Sequence, residues 1–164
     1  MNEVTNIVVA GLGGQGVVKA SDILAVAAFL AGWDVKKTEL HGMSQRGGSV
    51  SGDVRFGRGV LSPMVPPGEA DFLLVLAEPE VEVYRGLLRP GGLLIPPQAA
   101  DASALPDRRC LNVALLGVLS HHLPIEPVAW HEAIREHFQG EWVETNWCAF
   151  EIGRACKGAV LRKQ

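Results

Sequence analysis

Two glycine-rich stretches hold the residues best placed to do chemistry. The first, Gly11-Leu12-Gly13-Gly14-Gln15-Gly16, contains the Gly-x-Gly-x-x-Gly spacing. Where a strand hands over to a helix, the first glycine of that spacing makes the tight turn and the second lets a pyrophosphate approach the backbone. The third lets helix pack on strand. The helix N-terminus then offers free N–H groups and a partial positive charge to an anion. Gln15 stands where such loops usually carry a small or apolar residue, and its amide puts a donor and an acceptor at the loop tip. The fingerprint also asks for an acid about 20 positions on, to hold a ribose; Asp34 and Glu39 bracket that place. Spacing alone leaves nicotinamide or flavin binding and a purely structural turn both open.

The second stretch is His41-Gly42-Met43-Ser44-Gln45-Arg46-Gly47-Gly48. It supplies a titratable imidazole, neutral hydrogen-bonding groups and a fixed cation. It follows a second predicted strand, so in a parallel sheet it emerges at the same carboxyl edge as the first loop, and the two converge on one crevice. The plainer alternative is a loop whose glycines merely allow a reversal, with Arg46 on a nearby carboxylate. Glu78, at the carboxyl end of a third buried strand, is a further candidate. No residue is singled out as a catalytic group, and no metal site is expected. Cys110, Cys148 and Cys156 match neither zinc nor iron–sulfur spacing. The adjacent His121 and His122 point to different sides of a helix and read as end-capping, and His131 and His137 read as surface residues.

The elements that must position these loops follow from hydrophobic periodicity. Thr5 to Gly11 is a β-branched run with the look of a strand buried on both faces. Gly14 to Gly32 shows helical spacing ended by glycine, and Trp33 to Leu40 is a second strand. Ser49 to Phe56 alternates, with Val50, Gly52, Val54 and Phe56 on one face. Gly57-Arg58-Gly59 then signals a turn, from which Val60 to Val65 returns as an antiparallel partner. Phe72 to Ala77 is a third buried strand and Glu80 to Leu88 a short helix stopped by Arg89-Pro90-Gly91-Gly92. Leu93 to Ile95 is another strand. Helices are expected at Asn112 to His122, Pro127 to Gln139 and Trp142 to Lys157. The pattern is a Rossmann-like, doubly wound α/β domain. Its sheet is mostly parallel with some antiparallel strands, in one domain over 1–164 with a helical C-terminal part at about 111–160.

Composition narrows the function classes. The chain has 164 residues, 48% hydrophobic and 20% charged, which is globular rather than disordered. A net charge of -3 without a basic block gives no field for nucleic acid or an anionic membrane. No secretory signal or membrane-length apolar stretch is visible near the N-terminus. An odd cysteine count without a signal favours free thiols in a reducing cytoplasm.

Beyond spacing, a family resemblance covers nearly the whole chain in order. GLGGQGVVKASDILAVAAFLAGWDV, HGMSQRGGSVSGDVRFG and SPMVPPGEADFLLVLAEPEVEVY, followed by PGG, WHEAIREHF and ETNWCAFEIGRA, resemble the gamma-type domain of 2-oxoacid:ferredoxin oxidoreductases. Arg46-Gly47-Gly48 is shared across that family. Pyruvate and 2-oxoglutarate relatives usually carry Tyr-Gly-Pro-Glu before it, whereas His41-Gly42-Met43 with Gln45 is similar to the small-subunit branch acting with indolepyruvate. The resemblance implies that thiamine diphosphate, Mg2+ and the 4Fe–4S clusters belong to a large partner subunit. Coenzyme A would be the cosubstrate, and ferredoxin would be reached through the complex. The small chain, able to pair with itself when isolated, would carry no cofactor and be inactive alone. Gly11, Gly13, Gly14, Gln15, Gly16, His41, Ser44, Gln45, Arg46, Gly47 and Gly48 would form a ligand or interface surface. An independent NAD(P)-dependent enzyme and a nucleotide-binding module are the competing readings.

Overall fold

Ile7, Val8, Val9 and Ala10 are all fully buried, so the first strand needs a packed layer on each of its faces. The computed structural model, which describes residues 3–42, 47–157 and 160–164, has that arrangement. In chain order the elements begin with β1 (Val4–Leu12), α1 (Val17–Leu30), β2 (Asp34–His41), β3 (Ser49–Gly57) and β4 (Ala70–Val75). There follow α2 (Glu78–Tyr84), β5 (Leu88–Ile95), α3 (Leu111–Ser120), α4 (Pro127–His137), α5 (Glu141–Ala155) and β6 (Leu161–Arg162). Short 3-10 turns, among them Arg108–Cys110, occupy the irregular stretch between β5 and α3.

The sheet order is β2-β3-β1-β4-β5-β6. β4 runs parallel to β1 and to β5, while β3 is antiparallel to both β1 and β2, and β6 is antiparallel to β5. β1, β2, β4 and β5 therefore point the same way. The expected Rossmann-like α/β class stands, with a mixed sheet.

The alternation of β1 sorts its side chains between two cores. Ile7 and Val9 join Val54, Phe56, Leu74 and Ile95 beneath α1, α3, α4 and α5. Val8 and Ala10 join Leu73, Val75 and Leu88 beneath α2 and Val65. The β1–β2 crossover thus uses one face and the β4–β5 crossover the other. Their directions part between β1 and β4, and a crevice opens there at the carboxyl ends of the strands. No helix among the described residues is long and apolar enough to cross a membrane.

Two expectations are corrected. Val60 to Val65 does not return as a strand, because both edges of β3 are already paired, with β1 and β2. Its backbone is held by side chains instead: the Val60 N–H donates to Asp34 at 2.7 Å and the Val65 N–H to Asp53 at 2.8 Å. Pro90-Gly91-Gly92 lies inside β5 rather than ending a helix, and the register with β4 shifts there between Ala70 and Phe72. The short β6 had no periodicity to announce it.

α3 crosses α5 backbone to backbone. A Cβ at Gly153 would overlap the Ala114 carbonyl, and one at Gly117 would overlap the Phe150 carbonyl. Gly153→Ala should therefore destabilise the chain by about 2 kcal/mol or more in urea unfolding, as overpacking outweighs the better helix propensity of alanine; unchanged stability would contradict this packing. Asp53 gives a second test. Burial raises its carboxyl above the ordinary value, more than the Val65 N–H and Arg55 lower it. A group that binds its proton more tightly when folded contributes most at acid pH, and loses that contribution as pH rises through its folded value. The stability of Asp53→Asn relative to wild type should accordingly improve between pH 4 and pH 7. A pH-independent difference would refute the burial effect.

Candidate functional site

The register of β1 with β3 brings the two glycine loops together. Leu12, the last residue of β1, pairs with Ser49, the first of β3. One loop departs from that pair and the other arrives at it. The Gly13 N–H donates to the Gly48 carbonyl at 2.9 Å, and the Gly42 N–H donates to the Ser49 carbonyl at 2.7 Å. A Cβ on Gly13 would stand in ordinary contact with the Gly47 nitrogen, 3.5 Å away. His41, Gly42, Gly47 and Gly48 thus frame the second loop beside Gly13. Met43, Ser44, Gln45 and Arg46 lie outside the described residues.

Within the first loop the sequence expectation needs adjusting at Gln15. Its amide does not project from the tip. Oε1 accepts from the Leu12 N–H at 2.7 Å, and Nε2 donates to the Leu76 carbonyl at 3.3 Å. Gln15 therefore laces the ends of β1 and β4 across the crevice. Gly11 is buried beneath it, and Gly13 and Gly14 are exposed. Gly16 precedes α1 with a left-handed φ of 80°. Its carbonyl accepts from Asn112 Nδ2 at 3.1 Å, so a side chain here would be strained and would strike Asn112.

An open groove of about 500 Å³ runs between the loop and β2–β3, bounded by Gly13, Gly14, Gly16, Lys19, His41 and Val50. His41 thus joins the glycines in one place. Glu39 does not. β3 separates β2 from β1, putting Glu39 two strand spacings, roughly 10 Å, from the strand that carries the fingerprint. Glu39 is also engaged: Lys37 pairs with it and with Asp22, the latter at 2.7 Å, and His41 lies 3.5 Å from its other oxygen. The hydrogen bond from Lys37 holds the Glu39 carboxyl below its ordinary value. Burial pushes the Lys37 ammonium down, but its bonds to Asp22 and Glu39 leave it raised overall. This acid is not poised for a ribose.

Glu78 starts α2 at the expected carboxyl edge, but its side chain accepts from Gln98 at 2.6 Å, on the β5 side. Glu80, not anticipated from the sequence, is the acid that reaches the second loop. It is buried, and it accepts from Ser49 Oγ at 2.5 Å, just where the loop enters β3. Both acids suit the first turn of a helix, and the sequence held no signal of which would turn inward. Among the described residues no group of three or more His, Cys, Asp or Glu is arranged to hold a metal ion.

The chain is similar to known proteins in sequence and in fold. The pyruvate ferredoxin/flavodoxin oxidoreductase family model matches residues 6–156. Indolepyruvate oxidoreductase subunit IorB of Archaeoglobus fulgidus is 47% identical over 90% of this chain and 92% of its own length. The IorB subunit of Thermococcus kodakarensis is 35% identical over 90% and 93%. In fold, the chain resembles the gamma subunit of a keto/oxoacid ferredoxin oxidoreductase from Geobacter sulfurreducens, with a TM-score of 0.77 at 22% identity, over 91% of this chain and 95% of that one. It also resembles the 2-oxoglutarate:ferredoxin oxidoreductase of Magnetococcus marinus, with a TM-score of 0.83 at 21% identity. That match takes in all of this chain but only 34% of the other. With a matching family model over most of its length and relatives aligned nearly end to end, the chain belongs to the pyruvate ferredoxin/flavodoxin oxidoreductase family.

Proposed function

We propose that this chain is the cofactor-free small subunit of an indolepyruvate ferredoxin oxidoreductase, and that its two touching loops close against a large partner subunit. The observation that carries the substrate assignment is the 47% identity to a relative named for indolepyruvate, over nine-tenths of both chains. The docking surface rests on the Gly13–Gly48 hydrogen bond, which holds two polar-glycine loops as one rim. Thiamine diphosphate with Mg2+ and the 4Fe–4S clusters, held by the large subunit, would supply decarboxylation and electron transfer to ferredoxin, with coenzyme A accepting the acyl group.

This chain's own residues then have a positioning task. Backbone N–H groups at the start of α1 and the Arg46 guanidinium would receive an anionic group, either the carboxylate of the 2-oxoacid or a phosphate of coenzyme A. The groove containing His41 would be covered when the large subunit docks, excluding water from the neighbouring chemistry. A nicotinamide role is poorly supported, since Gln15 laces the crevice and Glu39 is committed to Lys37.

Co-expression with a thiamine-dependent, cluster-bearing large subunit should give a stable complex on size exclusion. That complex should reduce ferredoxin with indolepyruvate and coenzyme A, with kcat/KM for indolepyruvate exceeding that for pyruvate or 2-oxoglutarate by about tenfold or more. Arg46→Ala in the intact complex should raise KM for the oxoacid or coenzyme A, or lower turnover, by about tenfold or more. Ferredoxin reduction by the small chain alone would overturn the division of labour. A preference for pyruvate would overturn the substrate, and wild-type kinetics of the variant would remove Arg46 from the site.

A further inference from the structure

The two outer strands of the sheet differ. β6, at one end, is two residues long. β2, at the other, has eight, and its ladder with β3 runs from Asp34 to His41 without a bulge or a proline. Among the described residues no strand pairs on its outer side. An edge this long and regular is a template for another strand, and natural sheets usually shorten, bulge or charge such an edge. Here the guarding charges are neutralised: Lys37 pairs with Asp22 and Glu39, and Lys36 lies 3.8 Å from Asp34. The hydrogen-bond phase of the edge follows from the Gly42 N–H, which donates inward to Ser49. Antiparallel ladders alternate, so Asp34, Lys36, Thr38 and Leu40 also bond inward. Val35, Lys37, Glu39 and His41 turn their N–H and C=O groups outward.

The side chains alternate as well. Val35 packs on the core beneath α1 and Lys37 meets Asp22 of α1, so the odd-numbered residues lie on the α1 face and the even-numbered ones on the other. A second copy that extends the sheet about a twofold axis must match face to face, so the axis passes through a residue. Centred on Thr38, Lys37 of each copy stands opposite Glu39 of the other, and Val35 opposite His41. Lys36 lays its aliphatic stem opposite Leu40, which is 52% exposed. Every outward N–H and C=O of the four odd-numbered residues then meets a partner. Moving the centre by one residue sets Lys37 against Lys37, or Glu39 against Glu39, which is unfavourable. The edge is thus complementary to itself in charge, in one full-length register. Val18, Asp22, Ala25 and Phe29 share the side of α1 nearest β2, as their spacing and the Asp22–Lys37 pair require, and Phe29 is 69% exposed beside the edge.

We propose that β2 is a self-association edge, on which the β2 of a second copy of this chain pairs antiparallel and joins two six-stranded sheets into one. The twofold axis sends the glycine-loop rims of the two copies to opposite ends of the joined sheet, so each rim stays available to its own large subunit. The pairing itself needs neither that subunit nor a substrate.

Light scattering on the full chain after size exclusion should give twice the chain mass. In a background carrying Cys148→Ser and Cys156→Ser, Thr38→Cys should cross-link the two copies on mild oxidation. Facing residues that share no hydrogen bond bring their Cα atoms to roughly 4.5 Å, within disulfide reach. Leu40→Cys should not cross-link, because it faces Lys36 and lies about 13 Å along the strand from its counterpart. Lys37→Glu and Glu39→Lys should each weaken self-association by about tenfold or more. An equimolar mixture of those two variants should recover it, since every facing pair is then opposite in charge; a purely structural role for these residues gives no recovery. A monomeric wild-type chain would overturn the pairing, including one whose β2 gains exchange protection only when the large subunit is added. So would cross-linking at Leu40→Cys in place of Thr38→Cys, or a mixture that associates no better than either variant alone.

Discussion

The pairing of β1 with β3 is the constraint on which the rest depends. The ladder runs without interruption from Val4 opposite Gly57 to Leu12 opposite Ser49. A slip of one residue would turn Val54 and Phe56 out of the core beneath α1. Burying such side chains is worth about 1.5–3 kcal/mol each, so the register is strongly specified. Because it ends at Leu12 and Ser49, Gly13 and Gly48 must be neighbours. The meeting of the two loops is thus a consequence of core packing several residues away.

The same insertion explains why a dinucleotide-like spacing need not mean a dinucleotide. Where a second parallel strand lies directly beside the first, an acid at its end can face the ribose. Here β3 occupies that position and displaces β2 to the sheet edge. Glu39 travels with it and is neutralised by Lys37. The glycines keep backbone purposes, a turn at Gly13–Gly14 and a left-handed entry to α1 at Gly16, while Gln15 uses its amide to tie β1 to Leu76. The spacing reports how a strand joins a helix, and the neighbouring strands decide what that junction can hold.

Much of this was legible from local pattern. The unbroken apolar run at Ile7 to Ala10 announced a two-sided strand, and the alternation of Ser49 to Phe56 assigned the face that meets α1. Their order was enough to expect both loops at one edge. Features that depend on which strands are neighbours were not legible. Val60 to Val65 has strand-like residues, but both edges of β3, the strand it would return against, are taken by β1 and β2. Pro90-Gly91-Gly92 reads as a stop and instead marks an irregularity within β5. Glu78 and Glu80 are equivalent in sequence, and only packing turns Glu80 toward Ser49.

The touching loops, closing as one surface against the large subunit, are where the proposed function stands or falls. Hydrogen–deuterium exchange of the chain, free and in complex, tests this most directly. Segments 11–19 and 41–50 should gain protection together on assembly, while α2 changes little. Protection confined to one of the two, or absent from both, would contradict it.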